Sequence, residues 1–538
     1  MTQKIPRLML AAPASGSGKT TITCGLLRAL QNRGLSPAAF KCGPDYIDSM
    51  FHNYVLGVSG GNLDSYFLDG GGVRRQMAEG AAEKDIAVVE GVMGYYDGLN
   101  GTSVQASSYE VARLTGTPVI LVVDCKGVSL SAAAVVSGFL NYRSGEEPGS
   151  CIKGVLLNRI SGVMAERLIP EIESLGVPVV GWLPECKNMK LGSRHLGLLM
   201  PEELSGLKQM IDTFARQMEE NVNIDLLCEI AGGAAEIELE PGSKLEPESK
   251  LEPELKLEPE SKLEPELELE SKLERESEAE LAPEPESKPE SEPKSDMDSS
   301  LHIAVAADSA FCFYYQENLR LLESMGAILE TFSPMADHAL PNRADGMILG
   351  GGYPELYAKE LSDNESMRRS IRSAAESGMP YLAECGGFLY LHDELEAEDG
   401  IGYPMAGVIH GRGYRTERLS RFGYIGLAPG ADDVCLKEEI KGHEFHYWDS
   451  TACGNDWKAR KPLSSRKWDC VHSQNCQIAG FPHLYFPSDP HFVKRWLDGC
   501  RKFREKRRLE KNGRLERSGS VYERTESVDE NREHDIGR

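Results

Sequence analysis

The sequence predicts an α/β fold made of two parallel-sheet domains joined by a disordered acidic linker. Three observations carry this. Short, near-continuous apolar runs alternate with helical stretches from residue 7 to residue 183, and the alternation restarts at residue 302. Such runs, with helices between them, mark strands buried on both faces of a parallel sheet. Between the two series lies a charged, proline-punctuated repeat in a chain of 538 residues, too long for one ordinary domain. The expected division is 1–235, a linker at 236–299, a second domain at 300–500 and a charged tail at 501–538.

The first run, 7–13, leads into Ala12-Pro-Ala-Ser-Gly-Ser-Gly-Lys-Thr-Thr21. A buried strand, a glycine-rich turn and a helix start together form a phosphate-cradling loop. Backbone N–H groups and the helix N-terminus favour bound phosphate there. Gly16, Gly18, Lys19, Thr20 and Thr21 are the candidate nucleotide contacts. Lys19 reaches the terminal phosphates and Thr20 holds Mg²⁺. Pro13 stands where the usual motif has its first glycine, so the match rests on the residues after it.

The run 37–41 ends in Lys41-Cys-Gly-Pro-Asp45-Tyr46-Ile-Asp48. Asp45 and Asp48, three apart on a loop beside the nucleotide, suit Mg²⁺ or the placing of a carboxylate substrate. Gly-Pro-Asp is also ordinary turn chemistry. The run 86–90 ends in Glu90, a second candidate Mg²⁺ ligand, and the glycines around Asp97 suggest a loop shaped around ligand. Runs at 119–124, 155–158 and 179–183 complete the first sheet.

The linker repeats Lys-Leu-Glu-Pro-Glu from Lys244, Lys250, Lys256 and Lys262. A proline every sixth residue forbids a long helix. So few apolar groups cannot offset the entropy of ordering the segment. Residues 236 to 298 hold 23 acidic and 8 basic side chains, −15 of the formal −25. This acidity argues against nucleic acid as a partner. No stretch approaches the ~18 apolar residues of a membrane helix, so no membrane partner is expected. Lys4, Arg7 and the apolar residues after them look faintly like a signal peptide, but the run is short and flows into the phosphate loop. Thirteen cysteines, an odd count without a C-x-x-C pair, predict reduced thiols and a cytoplasmic location. Cys453, Cys470 and Cys476 near His472 fit no usual zinc spacing.

The second series runs 302–307, 328–332, 346–349 and 381–384. Its last strand leads into Tyr381-Leu-Ala-Glu-Cys385-Gly386-Gly, a strand, a sharp turn and a helix start. Such an elbow exposes the side chain at its tip. Cys385 is therefore a candidate nucleophile, its thiolate aided by the helix N-terminus. Gly350-Gly351-Gly352-Tyr-Pro-Glu355 follows another strand, and with Gly386 it offers backbone N–H groups to an oxyanion. A lone buried cysteine is ordinarily inert core; the elbow and the glycine loop together reverse that reading. The partner base should be a histidine, and His410, His443, His446, His472 and His483 are candidates.

The stretches "APASGSGKTT", "KCGPDYIDSMFH" and "VVEGVMGYYDG" resemble the cobyrinic acid a,c-diamide synthase family, whose N-terminal domain is similar to dethiobiotin synthetase. The later segments resemble class I glutamine amidotransferases of the cobyrinate type. The resemblance spans both domains but neither the acidic repeat nor the tail. It implies a ligase that uses ATP and Mg²⁺ to phosphorylate the a and c acetate groups of an anionic tetrapyrrole, with glutamine supplying ammonia. Lys41, Asp45, Tyr46, Asp48, Glu90 and Asp97 would shape the Mg²⁺ and substrate site, and Asn158, in "GVLLNR", would contact the nucleobase. The resemblance selects His483, in "FPHLYF", as the base. A second polar residue often follows two positions on in that family; here it is Tyr485, and the group orienting His483 stays open. His443 and His446, in "GHEFHYWD", match a segment near the glutamine pocket.

Cobyrinate and nickel sirohydrochlorin, the latter on the way to the nickel coenzyme of methanogenesis, both remain open as the ring. A homodimer is one expected assembly. Two rivals are a cobyric acid synthase, which amidates other side chains, and a partitioning-type ATPase switch with an inactive glutaminase domain. "GPDYIDSMFH" speaks against the first, and the presence of both Cys385 and His483 against the second. Deleting the acidic repeat should leave activity nearly intact. Loss of glutamine-driven turnover with ammonium-driven turnover retained would contradict that.

Overall fold

The computed structural model describes residues 2–45, 52–53, 56–143, 145, 149–186, 207–239, 300–419 and 421–529, with side chains up to residue 510. The first half contributes β1 (Thr2–Gln3), β2 (Arg7–Ala11), β3 (Pro37–Cys42), β4 (Gly60–Leu63), β5 (Ile86–Glu90), β6 (Val119–Asp124), β7 (Ile152–Asn158), β8 (Val179–Leu183) and β9 (Ile237–Glu238). Seven form one sheet in the order β4-β3-β5-β2-β6-β7-β8. All its pairs are parallel. Every residue of β2, β3 and β5 is buried, which is why these runs lack polar alternation.

Successive side chains still point to opposite faces. Leu8 and Leu10 pack under helices Lys19–Asn32, Leu207–Asn221 and Ile224–Gly232, whereas Met9 and Ala11 pack under Gly70–Gly80, Ser108–Thr115, Ser131–Asn141 and Gly162–Glu173. The strand β4 was not expected, because Gly-Gly-Asn-Leu has low strand propensity. Its glycine serves close approach: a Cβ at Gly60 would lie 1.5 Å from the Ala39 carbonyl oxygen.

One sequence expectation changes at the edge of this sheet. β1 and β9 pair antiparallel, Thr2 opposite Glu238 and Gln3 opposite Ile237. Ile237 is buried, so order continues past residue 236, where the linker was expected to begin. Residues 240–299 lie outside the described residues. The basic residues near the N-terminus are structural. Lys4 Nζ donates to Ala234 O (3.2 Å), and the fully buried Arg7 donates to the carbonyls of Ile5 (2.8 Å), Thr115 (2.5 Å) and Ala235 (2.7 Å).

The second half contributes β10 (Leu301–Ala306), β11 (Ala327–Phe332), β12 (Gly346–Leu349), β13 (Tyr381–Glu384), β14 (His392–Glu396), β15 (Gly402–Pro404), β16 (Ile409–Arg415), β17 (Arg421–Pro429), β18 (Ile440–His446), β19 (Trp448–Ser450), β20 (Trp457–Arg460), β21 (Lys467–Cys470), β22 (His472–Gln474), β23 (Gln477–Gly480) and β24 (His483–Leu484). The main sheet runs β11-β10-β12-β13-β23-β22, parallel except for β22. Two smaller sheets, β15-β14-β16-β19 and β21-β20-β17-β18-β24, were not foreseen. Strands such as β16 and β17 are half-exposed and glycine-rich, so their apolar pattern is weak.

The expected boundary at residue 500 falls inside one helix, Pro490–Asp529. Trp496, Leu497 and Cys500 are buried, and Arg507 donates to Ala344 O and the buried Asp345 carboxylate, both at 2.9 Å. The first turns of the charged tail are therefore docked. Arg507→Ala should cost about 1–2 kcal/mol in denaturant unfolding; an unchanged midpoint would show that Arg504, 3.8 Å from Asp345, suffices. No helix of the described residues is long and apolar enough to cross a membrane.

The cysteine expectation is corrected in part. Cys435 and Cys476 are disulfide-bonded, with Cα atoms 5.8 Å apart, while the other eleven are in no disulfide. The partners lie 41 residues apart, a separation that short-range spacing cannot reveal.

The described residues of both halves belong to one compact unit. An aromatic seam joins them. Phe67 stacks on Tyr485 with centroids 4.6 Å apart and meets Tyr315 and Tyr424 edge-on. Tyr485 donates to Gln76 Oε1 (2.7 Å), Tyr424 to Asp64 Oδ2 (2.8 Å), and Tyr315 to Pro44 O (3.0 Å). Burial pushes the Asp64 carboxyl up to about 6 against the pull of the Tyr424 hydroxyl. The folded state thus binds a proton that the unfolded state has released, so stability falls as pH rises from about 4 to 6. Tyr424→Phe removes a donor from a buried carboxylate and should cost about 1–3 kcal/mol, more at pH above that window than below it. An equal deficit at both ends would contradict this.

Candidate active site

The phosphate loop lies between β2 and the helix Lys19–Asn32. Gly16 (φ 75°) and Gly18 (φ 92°) take the left-handed conformation that the turn requires. Lys19 Nζ donates to Met93 O (2.5 Å) and Ala14 O (3.2 Å), which folds its ammonium over the loop. Thr21 follows in the first helical turn. Asn158, at the end of β7, donates from Nδ2 to Ser17 O at 2.9 Å. It braces the loop, and a Cβ on Gly18 would lie 2.6 Å from that nitrogen.

Glu90, at the end of β5, is the hub of this half. Its Oε1 accepts from Thr20 Oγ1 (2.6 Å) and Lys41 Nζ (2.8 Å), and its Oε2 lies 3.4 Å from His52 Nε2. Parallel pairing of β3 with β5, Lys41 opposite Glu90, sets this geometry. Burial would raise the Glu90 carboxyl, but Lys41 and His52 outweigh it and hold it well below the ordinary carboxylate range. Oε2 is buried without a hydrogen-bond partner. An ionised carboxylate with a spare oxygen beside a threonine hydroxyl is a donor set that fits Mg²⁺. Asp97 accepts from the Gly94 N–H (3.0 Å), and Asp45 follows the turn after β3. Tyr46 and Asp48 lie outside the described residues. His52 was missed by the motif reading, although it sits in the "SMFH" segment.

In the other half, Cys385 stands between β13 and the helix Gly386–Tyr390 with φ 45° and ψ −98°, the strained backbone of a nucleophile elbow. Its N–H donates to Gly480 O at 2.8 Å. A Cβ on Gly386 would lie 3.0 Å from the Gly352 nitrogen, so the elbow and the Gly351–Gly352 loop are in close contact. The expected thiolate is not what the site favours at rest. Burial pushes the Cys385 thiol above its ordinary range, and Glu355, Glu444 and Glu384 add to it. The helix that was expected to counter this has only five residues.

His483 lies on β24, 2 % exposed, with Nδ1 3.7 Å from Glu384 Oε2. His443 is its register partner on β18. Burial lowers His443 to about 3 and His446 to about 4, so both rings are neutral. His446 donates from Nδ1 to Trp448 O and stacks on Phe481 at 3.9 Å. Tyr485, the polar residue after His483, is committed to the seam.

One cavity of about 1520 Å³ joins the halves. Asp45, Met93 and Asp97 line it from the first half, and Cys385, His443, His446 and His483 from the second. Met93 also receives Lys19, which links the phosphate loop to the cavity wall. Arg415, Lys461 and Arg466 add cations that the sequence reading did not single out.

Comparison with known proteins agrees with this arrangement. Residues 8–199 match the CobQ/CobB/MinD/ParA nucleotide binding domain, and residues 302–490 the CobB/CobQ-like glutamine amidotransferase domain. The chain is 36% identical over 493 residues to the cobyrinate a,c-diamide synthase of Listeria innocua, covering 90% of this chain and 97% of that one. It is 33% identical over 515 residues to the enzyme of that name from Thermoplasma volcanium, covering 94% and 100%. Against that of Salmonella typhimurium it is 34% identical over 509 residues, covering 92% and 98%. With likeness of this extent over both domains, the chain belongs to the cobyrinate a,c-diamide synthase family.

Proposed function

We propose that the protein amidates the a and c acetate side chains of a tetrapyrrole, using ATP and glutamine. The observation that carries this reading is the shared cavity, which has Cys385 and His483 on one wall and Asp45 and Asp97 on the other. Cys385 attacks the glutamine amide carbon after passing its proton to His483, and His483 returns that proton to the departing ammonia. Gly352 and Gly386 stabilise the oxyanion. Hydrolysis of the thioester releases glutamate.

Thr20 and Glu90 would hold Mg²⁺, and Mg²⁺–ATP, when bound, supplies the phosphoryl group that activates the substrate carboxylate as an acyl phosphate. Lys19 stabilises the transferred charge. Asp45 and Asp97 place the reacting acetate, and Arg415, Lys461 and Arg466 offer cations to the ring's other carboxylates. Ammonia crosses the cavity and displaces phosphate.

The test is ATP- and glutamine-dependent turnover with cobyrinate and, separately, nickel sirohydrochlorin, with the amidated positions mapped. Diamides at a and c with one ring are expected. Amidation elsewhere, or ring-independent ATP hydrolysis alone, would overturn the proposal.

A further inference from the structure

We infer that Glu384, the residue immediately before the nucleophile, is the positioning residue for His483. The inference rests on the proposed Cys385–His483 pair and supplies the orienting group that its sequence left open. Glu384 grips β24 at two points. Its Oε1 accepts the Leu484 backbone N–H at 3.1 Å, and its Oε2 faces His483 Nδ1 at 3.7 Å. The carboxylate is itself 12 % exposed and the imidazole 2 %, so water competes weakly for either.

Position 485 cannot serve. The Tyr485 hydroxyl donates to Gln76, and its ring stacks on Phe67 in the other half. Neither neighbouring imidazole can orient it as a carboxylate would: His443 across the β18–β24 pair is neutral, as is His446.

A carboxylate facing Nδ1 favours the tautomer with its proton there and leaves the Nε2 lone pair to take the thiol proton. That function matters here because burial keeps the resting thiol protonated. Because Glu384 and Cys385 are adjacent on one elbow, a single turn sets both nucleophile and base.

The experiment uses the full chain with Glu384→Gln. Glutamine at this position still offers an oxygen to the Leu484 N–H. We expect kcat for glutamine hydrolysis to fall by about 10²-fold, with glutamine KM changed by no more than about twofold and ammonium-driven amidation unchanged. The rate of Cys385 alkylation by iodoacetamide at neutral pH should fall as well. In a His483→Ala background, Glu384→Gln should not slow alkylation further, because the residue acts through the imidazole. Undiminished kcat in Glu384→Gln, or an additional loss in the His483→Ala background, would overturn the inference. Unchanged glutamine use in Cys385→Ala would overturn the underlying pair, and the inference with it.

Discussion

Cys385→Ala should abolish glutamine-driven amidation, by at least about 10³-fold, while ammonium-driven amidation continues. The variant loses the sulfur proposed to form the thioester, and no neighbouring group in the elbow can replace it. The alanine methyl fits the same strained turn at little cost, so the loss will not come from unfolding. The phosphate loop and Glu90 are untouched, which is why external ammonium should restore turnover. Equal loss with both nitrogen donors would show that the halves do not divide the reaction as proposed. Retained glutamine use would remove Cys385 from the chemistry altogether.

Glu90→Gln should strike activity and stability together. Thr20, Lys41 and His52 converge on this carboxylate, and the Lys41 side chain is only 6 % exposed. Removing the charge leaves a buried ammonium without its counter-ion, a change that typically costs about 3–5 kcal/mol. Amidation from either nitrogen source should fall by about 10²-fold or more, because the oxygen proposed to hold Mg²⁺ loses its charge. Adding Lys41→Met should recover stability but not activity. Recovery of both would assign Glu90 to structure alone. The wild type has a matching pH signature. The Glu90 carboxyl is held below its unfolded value of 4.5, so its contribution is complete above that pH and is lost as pH falls below it. Glu90→Gln should flatten this acid limb in urea titrations.

Much of the fold and part of the candidate site were legible in the chain. β2, β3, β5 and most of β13 are buried on both faces, so their residues are near-continuously apolar, and the loops after them carry glycines at fixed offsets. Local rules therefore placed Gly18, Lys19, Glu90 and Cys385 at strand ends and helix starts, where the structure has them. The small sheets were not legible, because β16 and β17 alternate irregularly and draw their stability from neighbours distant in sequence. The surroundings of Cys385 were illegible for a related reason: burial first, then Glu355 and Glu444, push its thiol up against the helix N-terminus, and only packing brings them together. The disulfide Cys435–Cys476, the seam that claims Tyr485, the cavity joining both halves and the approach of Glu384 to His483 likewise depend on pairs far apart in the chain. The sequence by itself determined which residues could do chemistry, because backbone turns and burial leave short-range marks. Which of them meet was decided by the tertiary structure, because long-range contacts leave no periodicity for a single sequence to display.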